Sequence, residues 1–551
     1  MSRTADNMLY NLRKNRPFAS RFGRDEGGSL IIFSLFMLIL MLMISGMAVD
    51  LMRAETHRAR LQSTLDRAIL AAASLEQTLN SEEVVLDYFD KAGLGAFISA
   101  DDIHVVETAT AKTVTATASM TAGTFFMKMV GIDRLSAPAA GIAEESLSDV
   151  EISLVLDVSG SMGSTSASGH TKMYDLIQAA NEFVYLMQCD PDAEQPFDNV
   201  CVVESDTVSI SLIPYAEQVL VGETLLQEFN ITNEHSQSSC VDFEAADFQS
   251  TSVSLTDTLQ RAGTIDRRSY HSNGNHGSSS RFARDNYRTC RTDSYRTIVP
   301  YSNDYSDLQT QISAMHAGGY TSIHLGMKWA TALLDPEFQP ALSNLTTGAS
   351  PLITPNFDGR PYSYGRPRTK KVVVLMTDGK NTSLYSLKPG FRTGLSPFWL
   401  NDKDYSDDND LSVYRASTNK YYHVHGDYSS RWRSYPHGNS GGDDDAVQLT
   451  YQEVWDNYAV DYWDDEFWWL ADSWNYIGNS TMNTYLDNIC DTAKARGIEV
   501  FTLGFETSSS SSAVLSSCAS SVSHHFDVDG TDISEAFNSI AREIHDLRLT
   551  N

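Results

Sequence analysis

The stretch Ile152-Ser153-Leu154-Val155-Leu156-Asp157-Val158-Ser159-Gly160-Ser161-Met162 decides the fold. A short apolar run ends on a carboxylate, and a glycine-containing turn with two alternating hydroxyls follows. Such a run reads as a strand buried on both faces, the kind found in parallel sheets covered by helices. The residues around it repeat the pattern. Tyr174–Met187 is a predicted helix and Val208–Pro214 a strand. Ser322–Leu334 is a helix behind the Gly318-Gly319 turn. Val372–Met376 is an apolar strand running into Thr377-Asp378-Gly379. Thr481–Arg496, Ile498–Leu503 and Ile533–Leu549 continue as helix, strand and helix. Alternating strands and helices of this kind predict an α/β fold with a doubly wound, mostly parallel sheet.

In open parallel sheets, the loops at the carboxyl ends of strands line the ligand crevice. Asp157, Ser159 and Ser161 stand on one such loop, with Gly160 supplying the sharp turn. Thr321 follows the Gly318-Gly319-Tyr320 turn, and Asp378 follows the strand at 372–376. Two carboxylates and three hydroxyls form a hard oxygen set, suited to Mg²⁺, Mn²⁺ or Ca²⁺ and poorly suited to Zn²⁺ or copper. With only two carboxylates around a divalent cation the site keeps a residual positive field and open positions, which an acidic residue of a protein partner can fill.

Asp157-x-Ser159-x-Ser161, Thr321 and Asp378 resemble the metal-ion-dependent adhesion site of von Willebrand factor type A domains, a Rossmann-like fold. The resemblance implies that the three residues of the first loop, then Thr321, then Asp378, hold one divalent cation, most simply Mg²⁺.

Two long insertions interrupt the domain, which is expected over 147–551. One, at about 216–310, is rich in Ser, Asn and Arg in its latter half. The other, at about 381–478, is acidic and aromatic. Residues 401–475 carry 16 acids against 5 bases and six of the eight tryptophans. Tryptophans are hard to leave in water, so this insertion is expected to fold, close to the metal edge.

Upstream, Ser29–Val49 is 21 residues without a charge. As a helix rising ~1.5 Å per residue it spans the roughly 30 Å core of a bilayer. We read 1–28 as a basic tail, 29–50 as a single transmembrane helix, and 51–146 as a stalk helix with a small α+β region. Residues 1–24 hold six basic groups against one acid, which places the N-terminus in the cytoplasm and the rest across the membrane. The stripe Leu61, Leu65, Ile69, Ala72 continues the helix outward. β structure is expected over Ile103–Ala118, a short helix at Phe125–Val130 and an extended piece at Leu135–Ile142.

The basic tail with Arg24-Asp25-Glu26-Gly27-Gly28-Ser29, the apolar span, and Ala48-Val49-Asp50-Leu51 are similar to the N-terminus of TadG-type proteins of the tight-adherence (Flp/Tad) pilus assembly machinery. Cys490-Asp491-x-Ala493-Lys494, Phe501-Thr502-Leu503-Gly504-Phe505 and Cys518-Ala519-Ser520-Ser521 fit the same family. The resemblance covers about 20–75, 150–215, 318–380 and 480–548. It implies partners among pilus or envelope assembly components and a location in the bacterial inner membrane, with the large domain outside the cytoplasm. The fifth residue after Gly28 is Phe33 rather than glutamate, so the anchor is expected to stay uncleaved.

A formal charge of −30 argues against nucleic acid as a partner. Six cysteines allow 15 pairings; Cys490–Cys518, Cys189–Cys201 and Cys240–Cys290 are the expected ones. His423, His425, His524 and His525 are read as surface residues, and Asp443-Asp444-Asp445 as a solvated loop. An enzyme, such as a metal-dependent hydrolase, is disfavoured: no general base accompanies the ligand loops, and there is neither a Gly-x-Ser-x-Gly elbow nor a phosphate loop. The reading is therefore a membrane-anchored binding protein and not an enzyme; a cell-surface adhesin is the alternative.

Overall fold

The computed structural model describes residues 29–74, 79–107, 111–146, 149–189, 206–267, 282–401, 405, 410–425, 430–438 and 445–549. The basic tail, Cys201 and Asp443-Asp444 lie outside them. The chain divides into two compact units, Met1–Leu147 and Ser148–Asn551.

In the first unit, α1 (Ser29–Ala73) runs 45 residues without a break, about 68 Å at the α-helical rise. Its first part exposes apolar side chains all round. Its last part buries Leu61, Leu65, Ala68, Ile69 and Ala72, the predicted stripe at helical spacing. α2 (Ser81–Lys91) starts at Asn80, whose side chain accepts the Glu82 and Glu83 N–H groups. β1 (Ile103–Glu107), β2 (Ala111–Gly123) and β3 (Arg134–Ser146) form an antiparallel sheet in that order. Val114, Ala116, Ala118 and Met120 of β2 alternate into the core against the helices. The expected helix at Phe125–Val130 is a 3₁₀ turn over Met127–Val130, and β3 outruns its predicted ends at Leu135 and Ile142.

The second unit orders β4 (Asp149–Asp157), α3 (Lys172–Gln188), β5 (Val208–Tyr215), β6 (Val299–Ser302), α4 (Tyr305–Ser313), α5 (Ile323–Leu334) and β7 (Thr369–Thr377). An inserted part runs from β8 (Ser383–Leu387) through β9 (Leu395–Asn401), β10 (Leu411–Arg415), β11 (Lys420–His423), β12 (Trp432–Arg433) and β13 (Ala446–Thr450) to β14 (Trp474–Gly478). It is followed by α6 (Asn479–Ala495), β15 (Glu499–Phe505), α7 (Ser509–Cys518), β16 (His525–Val528) and α8 (Asp532–Leu549). The main sheet has the order β16-β15-β7-β4-β5-β6. All neighbours are parallel except β6 on β5. Alternate residues serve the two faces. Val155, Ile213, Val373 and Val500 pack with α5, α6 and α7. Ile152, Leu154, Ile210, Val374 and Phe501 pack with α3, α4 and α8. Burial on both faces explains why these strands are almost unbroken apolar runs.

Two polar residues of β4 face the α5 side with partners. Ser153 Oγ donates to Ala330 O at 2.9 Å. Glu151, fully buried, pairs with Lys371 and accepts the Tyr362 N–H at 2.9 Å. Lys371→Met leaves that carboxylate without its cation, and we expect a loss of ~3–5 kcal/mol in urea-unfolding stability. An unchanged midpoint would contradict this role for the pair.

The insertions differ in how they attach. β6 and the start of α4 lie inside the stretch 216–310 read as insertion, yet they complete the main sheet and its helical cover, so the inserted part ends at about 298. The Cys240–Cys290 disulfide cross-links it internally. The Lys328 ammonium on α5 also holds it, donating to the carbonyls of Asp247, Ser250 and Ser252 at 2.7–2.8 Å. The second insertion closes on itself: β8 and β14 pair antiparallel from Ser383↔Gly478 to Leu387↔Trp474. Between them a five-stranded sheet, β12-β11-β10-β9-β13, carries its own core. There Phe398 stacks on Trp463 at 5.0 Å with the rings nearly parallel.

His423 corrects the surface reading of the histidines. It is buried, with Nε2 at 2.9 Å from Tyr435 O and its ring against His437. His525 is also engaged, between Thr502 Oγ1 and Ser512 Oγ. Cys490–Cys518 joins the ends of α6 and α7, and Cys189 is disulfide-bonded.

Candidate metal centre

Numbered along the chain, the sheet runs sixth, fifth, fourth, first, second, third, and the order reverses between β4 and β7. The crevice for a ligand opens at that reversal, outside the carboxyl ends of these two strands. β4 ends on Asp157 and β7 delivers Asp378.

Local chemistry draws the loops together. Asp157 is fully buried. Its Oδ1 accepts the Ser159 N–H at 2.7 Å, which turns the chain. Its Oδ2 accepts the Thr377 hydroxyl at 2.7 Å. Ser159 Oγ and Ser161 Oγ are 3.1 Å apart, and Ser161 Oγ donates to Asp378 Oδ1 at 2.6 Å. A hydrogen-bonded chain thus links four of the five predicted residues. Ser161 is solvent-exposed and forms the mouth, while Asp157, Ser159 and Asp378 are buried behind it.

The second loop is stitched to the first by backbone. Gly160 N–H donates to Gly319 O, and Gly318 N–H to Val158 O, both at 2.9 Å. A Cβ on Gly160 would stand 3.2 Å from Gly319 O, and Gly319 has φ +98°, so glycine permits both the approach and the turn. Thr321 is buried in this loop. Its N–H donates to Thr382 Oγ1, and its carbonyl accepts the Thr382 N–H, each at 3.0 Å. Asn381 Oδ1 accepts the Ile323 N–H at the start of α5. Thr321 therefore joins the cluster through backbone bonds, and among the described residues no hydroxyl bond of Thr321 is seen.

Electrostatically the pair of carboxylates is short of positive charge. Burial, and then the negative charge of Asp378, push the Asp157 carboxyl up to about 7. Asp378 Oδ2 is buried without a hydrogen-bond donor among the described residues and lies 3.3 Å from the Lys172 ammonium. Lys172 also faces Glu506 at 3.8 Å. The donors are carboxylate and hydroxyl oxygens, and the described residues contain no cluster of three or more His, Cys, Asp or Glu. This set fits a hard divalent cation and not a soft one. Thr377, Lys172, Glu506 and Thr382 are the partners that sequence spacing did not single out. Thr377 and Thr382 flank Asp378 in the chain and were within reach of that reading; Lys172 and Glu506 are brought in only by folding.

The reversed strand order and the helices on both faces define a doubly wound α/β domain whose crevice is lined by the loops after β4 and β7. In the N-terminal segment, residues 27–75 match the family described as "Putative Flp pilus-assembly TadE/G-like". No curated protein matches the chain. Among solved structures, the chain is similar to the vWF domain of the type V pili tip protein Mfa5 from Porphyromonas gingivalis. That likeness has 14% identity and a TM-score of 0.31, covering 74% of this chain and 97% of that one. It is also similar to the pilus adhesin SpaC from Lactobacillus rhamnosus GG, with 14% identity and a TM-score of 0.30 over 81% of this chain and 34% of the other. The von Willebrand factor type A structure from Catenulispora acidiphila aligns at 9% identity and a TM-score of 0.25, over 78% and 45%.

Proposed function

We propose that this chain is a single-pass, membrane-anchored binding protein of tight-adherence pilus assembly. Its type A domain holds a protein partner through a divalent cation, Mg²⁺ in the first instance, on Asp157, Ser159, Ser161, Thr321 and Asp378. The observation that carries this reading is the hydrogen-bonded convergence of Asp157, Ser159, Ser161 and Asp378 at the sheet's reversal, open to solvent through Ser161.

When bound, the cation supplies a positive centre that an acidic side chain of the partner can approach. The chain's own residues do the rest. Thr377 and the Ser159 N–H orient Asp157, and the Gly160–Gly319 contact sets the second loop against the first. Both insertions meet beside Thr321. Arg267 of the first lies 3.2 Å over the Tyr320 ring, and Tyr385 of the second lies 6.2 Å from it. Tyr385 in turn contacts Trp474 and the exposed Tyr476. These aromatics adjoin Tyr320, the neighbour of Thr321 in the second loop, and offer anchor area for a partner.

Anchoring is supported by α1, which passes without a break from an exposed apolar span into the core of the first unit. An element so shared suits a permanent anchor better than a removable leader. The disulfides support an oxidising location for the large domain, in accord with the basic tail on the cytoplasmic side.

The test is co-purification from crosslinked membranes. A partner should be captured in Mg²⁺, lost in chelator and restored by added Mg²⁺; capture indifferent to chelator contradicts the proposal. Digestion of intact cells with added protease distinguishes the adhesin reading, which requires cleavage of the large domain. Lys172→Gln should also tighten Mg²⁺ binding about tenfold by calorimetry, because an ammonium beside Asp378 opposes a second cation. Weaker binding would make Lys172 a support of the site and not a competitor.

A further inference from the structure

The loop Thr124–Asp133 of the first unit exposes Phe125 (67%), Met129 (73%) and Val130 (49%), with Phe126 and Ile132 partly open as well. So many open apolar side chains on one short loop call for a cover. The loop is held at a fixed height on α1. The Asp50 carboxylate accepts the N–H groups of Phe125, Phe126 and Met127 at 2.7–3.1 Å, capping the 3₁₀ turn. A Cβ on Gly46 would fall 2.2 Å from the Phe126 ring, so glycine is what lets the ring lie on the helix. About two turns further on from Gly46, the Arg53 guanidinium covers the Phe125 ring at 4.7 Å.

These contacts span residues 46–53 of α1, and the uncharged run ends at Val49. Phe126 therefore meets the helix three residues before that end, about 5 Å inside the apolar run at the helical rise. The helix itself exposes Val49 and Met52 at the same level. Arg53, Lys128 and Arg134 stand in or beside the loop. Apolar side chains with basic and aromatic groups among them, at the end of a spanning helix, match the chemistry of a headgroup layer.

We propose that the loop Thr124–Asp133 sits in the bilayer interface, with Phe125, Met129 and Val130 among the upper acyl chains and Lys128 and Arg134 toward lipid phosphates. It fixes how deep α1 is seated. This inference rests on the reading of α1 as a membrane anchor.

The test uses the full chain in vesicles of phosphatidylcholine and phosphatidylglycerol, labelled under non-reducing conditions with an environment-sensitive fluorophore. Labels go on Met129→Cys, on Val130→Cys, on Leu38→Cys within the span and on Asp101→Cys as an aqueous reference. We expect the Met129 and Val130 labels to shift to the blue and to lose most of their emission to a headgroup nitroxide lipid. The Leu38 label should respond to a nitroxide near the chain ends, and the Asp101 label to neither. If the Met129 and Val130 labels behave like the Asp101 label while the Leu38 label is quenched, the loop proposal falls and the anchor stands. If the Leu38 label is also unquenched, the anchor reading falls and takes the proposal with it. Labels at 129 and 130 shielded from aqueous iodide but untouched by nitroxide lipid would assign the patch to a protein cover, and would overturn a lipid one.

Discussion

Asp157→Asn should cut the affinity of the large domain for Mg²⁺ by at least about 100-fold, a larger loss than changes outside the ligand set produce. The substitution keeps the shape of the side chain. It retains an oxygen in place of Oδ1, which accepts the Ser159 N–H at 2.7 Å. It removes one of the two negative charges that make the crevice attractive to a cation. The fold should survive, because the carboxylate is buried beside a second one and its loss relieves their repulsion. Calorimetry for the metal and far-ultraviolet circular dichroism for the fold separate the two effects. An Asn variant that binds Mg²⁺ as tightly as the parent would remove Asp157 from the ligand set.

The second large effect concerns the disulfides. Cys490–Cys518 closes 28 residues and Cys240–Cys290 closes 50. Loop-closure entropy in the unfolded chain gives about 3.5 kcal/mol for the first and about 4 kcal/mol for the second. The two loops do not overlap, so replacing all four cysteines with alanine should cost about 7.5 kcal/mol. Cys490→Ala with Cys518→Ala alone should loosen α6 and α7 from β15 first, because the bridge joins the ends of those two helices. Denaturant midpoints of the two double variants and the quadruple variant measure each term. Midpoints equal to the parent's would mean that the bridges add no stability to the domain. A domain that depends on its disulfides in this way is suited to the far side of the membrane and would be weakened in the reducing cytoplasm.

Much of the large domain was legible because its strands are buried on both faces. Residues 152–156, apart from Ser153, and residues 372–376 are apolar, and each run leads into the carboxylate at its end, Asp157 directly and Asp378 after Thr377. The helix stripe Leu61, Leu65, Ile69, Ala72 was legible for the complementary reason: one face of α1 alone enters the core. The edge of the main sheet was not legible. β6 is only Val299–Ser302, contains Pro300 and pairs on one side, so neither length nor alternation announces it. α4 next to it is mostly polar and buries only Tyr305, Leu308 and Ile312. His423 was misread because its burial depends on Tyr435 and His437, twelve and fourteen residues away across strand connections. At the site itself, the oxygen donors could be found from the strand ends. Lys172 could not, because the contact with Asp378 joins the start of α3 to the end of β7 and exists only in the folded sheet.

The central claim is that one divalent cation sits among Asp157, Ser159, Ser161, Thr321 and Asp378. The most direct measurement is anomalous diffraction from crystals of the large domain soaked in Mn²⁺. The account predicts one anomalous peak at the mouth between the loops after β4 and β7, within ligand distance of Asp157, Ser159, Ser161, Thr321 and Asp378 oxygens and absent from Asp157→Asn crystals. Well-diffracting crystals with no peak there, or with Mn²⁺ bound only elsewhere, would contradict it.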